Sequence, residues 1–244
     1  MSTPAAPSAS AKPAPVWEDL VDIFYAPRQV FERRRDGRFG LALVILLVLA
    51  TVLLYLTKPL LEPVYDAIVE MSIAQARASN PQITDEMVGT MRSFSGKVLI
   101  PGLIFNLTLA VLLAGLALWL VGKLFESKQT LGQAMMVSTY ANVPRLILGT
   151  IVSALIALLL PAESLDAPFA ASLSPARFVD HIAHPVLAAA LMRFELFTLW
   201  ATVLLGIGLH VTGRVTARQA AIAAVLVWAL AGLLTVALAL RGAA

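Results

Sequence analysis

Hydrophobic and polar positions in this chain are arranged in long blocks rather than in a helical or strand period. Five apolar blocks, at 39–57, 98–121, 141–160, 194–212 and 219–240, are nearly free of charge. Each is close to the ~20 residues that a helix needs to cross hydrocarbon, where no backbone group can be left unpaired. The pattern therefore predicts an all-α fold: a polytopic transmembrane bundle of five spans, with a membrane domain over 39–240. Ahead of it, in 16–38, Trp17, Leu20, Ile23 and Phe24 recur at helical spacing with Glu18, Asp19 and Asp22 on the other side. Pro27 restarts the chain as a second short segment carrying Val30 and Phe31. This is the pattern of an amphipathic helix lying in the membrane interface, and equally of one packed on the protein's own inner face.

The breaks between blocks carry their own expectations. Lys58-Pro59 is expected to stop the first span and open a hydrophilic excursion at 60–97. Inside that excursion Thr84, Asp85 and Glu86 have the form of a helix cap with an acidic first turn, and Met87, Met91, Phe94 and Val98 share one helical face. Pro144 removes a backbone donor within the stretch 131–160, so a kink or a broken helix with an interfacial first half is expected there. A second excursion, 161–192, holds Pro161, Pro168, Pro175 and Pro185 and is expected to be partly irregular. Residues 1–15, MSTPAAPSASAKPAP, can bury almost nothing and read as a disordered tail.

Charge orients the bundle. With the N-terminus inside, Arg28, Arg33, Arg34, Arg35, Arg38, Lys123, Lys128, Arg214 and Arg218 fall on the cytoplasmic side. Lys58, Arg77, Arg92, Lys97, Arg177, Arg193 and Arg241 fall outside, over longer loops that weigh less. The expected topology is N-in, C-out, with 16–38 cytoplasmic.

Composition narrows the function classes. Hydrophobic residues make up 59% and charged residues 14%, against ~25% charged in soluble domains. Mean hydropathy is +0.83. No room is left for a soluble catalytic domain. The absence of cysteine excludes disulfides, thiol nucleophiles and thiolate metal sites. The net charge of +3 is gathered before the first span rather than spread as a nucleic-acid surface, so nucleic acid is not an expected partner. No G-x-S-x-G, P-loop, dinucleotide fingerprint or H-E-x-x-H occurs, and neither a catalytic set nor a cofactor site is expected.

Three groups of residues remain as candidates. Asp180, His181 and His184 could contribute to a metal site, but the histidines are three apart, Pro185 follows at once, and a further ligand is lacking. Tyr140, Asn142, Arg145 and His210 would form an inner polar cluster if the third and fourth spans are neighbours and both residues lie near their inner ends. Snorkelling to the headgroups is the plainer account of Arg145. Trp17, Phe24 and Phe31 form a candidate interface with lipid or another protein. Gly149, Ser153 and Ala157, Thr202 with Gly206, and Ala220 with Ala224 are small residues at four-residue spacing, suited to close packing within the bundle or between copies of it.

Residues 22–31 (DIFYAPRQVF), 130–144 (TLGQAMMVSTYANVP) and 194–213 (FELFTLWATVLLGIGLHVTG), in this order and around five spans, resemble the Yip1 family of membrane proteins. The resemblance implies five helices and a cytoplasmic N-terminus. Eukaryotic members are linked to vesicle traffic and Rab GTPases. The D-L-Y-G-P element of those members is replaced here by the looser 22–27 (DIFYAP), and the arginine, alanine and leucine bias is that of a bacterial chain. The trafficking role is therefore not carried over. The expectation is a non-catalytic protein of a bacterial inner membrane that contacts the lipid bilayer and organises or binds other membrane proteins or copies of itself. The alternative is a small-solute or ion permease working through the inner polar cluster.

Overall fold

The computed structural model describes residues 15–243, and side chains as far as 240; the N-terminal tail expected to be disordered lies almost wholly outside the described residues. The described chain is helical, with no strand. Two short helices come first, α1 (Val16–Asp22) and α2 (Pro27–Arg33), with Pro27 opening the second as its fixed φ allows. Then follow α3 (Gly40–Ser79), α4 (Asp85–Lys123) and α5 (Leu131–Leu159). An outer connection contains two 3-10 turns, Ala162–Leu165 and Pro175–Phe178, the short helix α6 (Pro185–Leu191) and a last 3-10 turn, Met192–Phe194. The chain closes with α7 (Leu196–Gly213) and α8 (Ala217–Ala243). Helices α3, α4, α5, α7 and α8 are each long and apolar enough to cross a membrane.

Lys58-Pro59 does not end the first helix. α3 runs through Pro59 and Pro63 to Ser79, so the expected hydrophilic excursion is mostly helix. At 40 residues α3 is ~60 Å long, and α4, at 39, nearly the same, about twice the hydrocarbon thickness. The two form a hairpin whose turn is capped by Thr84 Oγ1, which accepts from Met87 N at 3.3 Å. Val69, Ile73 and Val88 pack with Ile83 and Met91 at its tip, a cluster drawn from the hairpin alone. Arg92 Nε donates to Glu70 at 2.8 Å and Arg77 pairs with Asp85 across the same hairpin.

The expected break at Pro144 is also absent: α5 is one helix from Leu131, started by a capping box between Thr130 and Gln133. Its first half is enclosed by the bundle. Ala134, Met136 to Val143 and Pro144 are buried on every face. α7 is the other central element, with 61% of its residues buried against 17–22% in the apolar windows of the other four long helices. Both pass close to their neighbours through glycine. A Cβ at Gly208 would sit 2.3 Å from Val137 Cγ1, and one at Gly115 2.7 Å from Met135 Sδ. Gly206 faces Ala224 and the Ala220 carbonyl, so two of the small-residue pairs serve the α7–α8 contact.

One end of the bundle is tied together by polar contacts. Lys128 N donates to Gly213 O at 2.9 Å, buried Gln129 Nε2 donates to Thr212 Oγ1 at 2.7 Å, and Arg35 Nη2 donates to Val211 O at 2.9 Å. Gly37 belongs to this end with φ +74°, a left-handed turn where a Cβ would also meet Gln133 N at 2.9 Å, so glycine is required twice over. The basic residues of 28–38, 123–128 and 214–218 lie at this end; the hairpin tip and the connection 160–195 lie at the other.

Candidate functional site

At the basic end, α1 and α2 bury their apolar face on the bundle itself. Leu20, Ile23, Val30 and Phe31 enter the core shared by α5 and α7, and Phe24 meets the Trp200 ring edge-on at 6.0 Å. Asp19, on the polar side of the sequence pattern, is completely buried. Its carboxylate accepts from Arg33 at 2.7 and 3.0 Å and from Arg34 Nε at 2.5 Å, and Tyr140 OH approaches it at 3.4 Å. Arg33 also pairs with Asp22, and Tyr25 OH donates to Asp22 at 2.5 Å. The Tyr25 hydroxyl first, then Arg33, hold the Asp22 carboxyl below its ordinary value. The result is a clasp: two arginines of α2 and its C-cap close on an aspartate of α1, beneath a tyrosine of α5. It leaves Trp17, Val21 and Tyr25, four residues apart, as an exposed apolar stripe at 63%, 52% and 71% of full exposure.

Toward the other end, a cavity of about 650 Å³ opens between α3, α4, α5, α7 and the connection 168–173. Its walls are largely apolar, including Leu61, Val64, Leu103 and Leu146, with Asn106, Asn142, Thr150 and Ser153 among them. Three charged residues face it, Arg145, Arg193 and Glu195. Glu195 caps α7, accepting from Phe197 N at 2.9 Å, Thr198 N at 2.7 Å and Thr198 Oγ1 at 2.9 Å. Arg193 donates to Trp228 O at 3.0 Å and lies over the Trp228 ring, while its Nε is buried without a partner among the described residues. Burial, and then the like charge of Arg145, push the Arg193 guanidinium below its usual range.

The polar residues singled out in the sequence are thus split three ways. Asn142 and Arg145 line the cavity, Tyr140 belongs to the clasp, and His210 donates from Nδ1 to Val215 O at 2.7 Å at the end of its own helix. The structure does not bring these four residues together: α5 runs unbroken from Leu131 through Pro144. That start sets Arg145 ~20 Å along the helix. Gly149 packs on Phe197 and Gly208 on Val137, so α5 and α7 run antiparallel, and Arg145 and His210 are ~14 Å apart along the bundle axis. Asp180 turns back to cap Ala183 N and Ile182 N, which lowers its pKa, and His181 meets Phe169 edge-on. Among the described residues no group of three potential ligands converges on a metal position. Trp17 is open, Phe24 is half-buried and Phe31 has no exposed surface.

Asp19, Arg33, Arg34 and Arg193 were not distinguishable in the sequence as site residues. The first pairs across 14 and 15 positions, beyond any helical spacing, and Arg193 looks like one more loop cation until Trp228 is folded against it.

The fold and its apolar helices define a multi-pass, all-helical membrane protein. The family model of the Yip1 domain matches residues 21–239, nearly the whole described chain, and the protein belongs to the Yip1 family. No match is found among curated proteins or among solved structures.

Proposed function

We propose that this Yip1 family protein is a non-catalytic organiser of the membrane, which binds other membrane proteins through its N-terminal segment. The single observation that carries the reading is the clasped α1–α2 pair. Its apolar face is already satisfied within the chain, so the exposed Trp17 and Val21 side chains and the Tyr25 ring are not used in packing it. The clasp also holds that stripe in one orientation, so little ordering cost remains to be met on binding. An apolar stripe with two aromatic residues is the composition of an interface core. In this reading the basic end is cytoplasmic and the membrane is the inner membrane of a bacterium, in keeping with the arginine-rich segments gathered there.

A photo-crosslinking residue placed at 17 or 25 in living cells should trap a defined membrane protein, and Val21→Asp, outside the clasp, should abolish capture at position 17. Adducts with lipid alone at both positions would overturn the reading.

A further inference from the structure

We propose that the cavity between α3, α4, α5 and α7 is a binding site for a phosphate-bearing anion, held by Arg145 and Arg193. The argument begins with charge. Two guanidinium groups and one carboxylate face a cavity whose other walls are apolar or neutral. The carboxylate does not neutralise either arginine by direct contact: its oxygens are taken by three donors at the start of α7. Arg145 makes no hydrogen bond or ion pair among the described residues, and Arg193 reaches only a backbone carbonyl and an indole face. Arg145 is exposed and lines the cavity, so its guanidinium is accessible to a ligand, and a cation facing largely apolar walls is kept where something pairs with it.

Hydrogen bonding points the same way. The hydroxyls of Thr51, Thr57, Thr108, Thr139 and Thr202, and of Thr235 on the cavity wall, donate back to the preceding turn of their own helices. The hydroxyls of Thr150 and Ser153 differ from the others of the cavity wall, those of Ser172, Thr198 and Thr235, in making no hydrogen bond among the described residues. Cationic forks beside free hydroxyls suit a tetrahedral oxyanion, and arginine suits phosphate in particular because its planar fork matches two oxygens at once. The volume is that of a small-ligand site. Two sources offer this chemistry: a free phosphate or phosphate ester, and the headgroup of an anionic phospholipid whose chains follow the apolar walls.

The test uses the full-length protein in nanodiscs of phosphatidylcholine. Unfolding temperature is followed on adding inorganic phosphate, with sodium chloride at equal ionic strength as reference, and again in discs carrying phosphatidylglycerol. Wild type should be stabilised by phosphate beyond chloride, which identifies a free anion, or only by phosphatidylglycerol, which identifies the headgroup. Arg145→Gln should weaken the effect roughly tenfold or more in ligand concentration, and Arg145→Lys should recover part of it. Arg145 is the informative position because its replacement breaks no hydrogen bond of the fold, whereas Arg193→Gln also loses the Trp228 carbonyl. Equal responses to phosphate, phosphatidylglycerol and chloride, or an Arg145→Gln protein that responds as wild type does, would overturn the proposal. Neither result bears on the α1 stripe at the basic end.

Discussion

Single side chains do unequal work here, and Asp19 does the most. Its carboxylate has no exposed surface, and the guanidiniums of Arg33 and Arg34 close over it. Removing one partner of a buried pair strands the other charge, so Asp19→Asn should cost about 3 kcal/mol, the low end for such pairs because Arg33 is partly exposed. The loss should appear as faster tryptic cleavage after Arg33 to Arg35 and a lower unfolding temperature in detergent. Asp22 adds a pH dependence to the same clasp. Its folded pKa lies below the ordinary 3.8, so its stabilising contribution is complete above that value and is lost as pH falls through the depressed one. Tryptic sensitivity measured after brief pre-incubation at each pH should be flat from pH 8 to about 5, and should rise only below about 4. Asp22→Asn should flatten that acid step. None of this was legible in the sequence, where Asp19 sits on the polar side of an amphipathic pattern. Periodicity tells which face is polar; it does not tell that a second helix brings two arginines back onto it.

Elements were read correctly in kind and incorrectly in extent. The apolar blocks became helices because hydrocarbon permits little else. The prolines did not stop them: Pro59, Pro63, Pro101 and Pro144 all lie inside helices. A proline forfeits one hydrogen bond, which neighbouring helices can compensate; the helix boundaries are instead marked by the N-caps Thr84, Thr130 and Glu195, which start α4, α5 and α7. The register of the contacts can be tested through glycine. Gly208→Ala drives a Cβ into Val137 and should destabilise the protein by about 1–3 kcal/mol. A Cβ at Gly102, also mid-helix, meets nothing within 4 Å, so Gly102→Ala should be neutral or stabilising by up to ~1 kcal/mol. Denaturation midpoints of the two variants, measured side by side in one detergent, check the pair. A Gly208→Ala protein as stable as the parent would mean that α5 and α7 cross elsewhere.

At the scale of the whole molecule, five helices able to span and their order were readable from hydropathy, and the family from three short segments. The depth of a residue was not. Arg145 was expected near the inner end of its span; in the structure it lies ~20 Å along an unbroken α5, in the wall of the cavity. The absence of cysteine makes the proposed topology simple to check. Single cysteines at exposed Glu126 and Gln82 should label from opposite sides, Gln82 alone reacting with an impermeant maleimide in intact spheroplasts; reaction of Glu126 instead would invert the molecule. The hairpin of α3 and α4 then acquires a mechanical meaning. From Val69 to Ser79 it stands ~15 Å clear of the rest of the bundle, braced by its own apolar cluster and two ion pairs. With the expected topology, this braced hairpin, rather than a loose loop, is what a flat neighbour on the outer face would meet first.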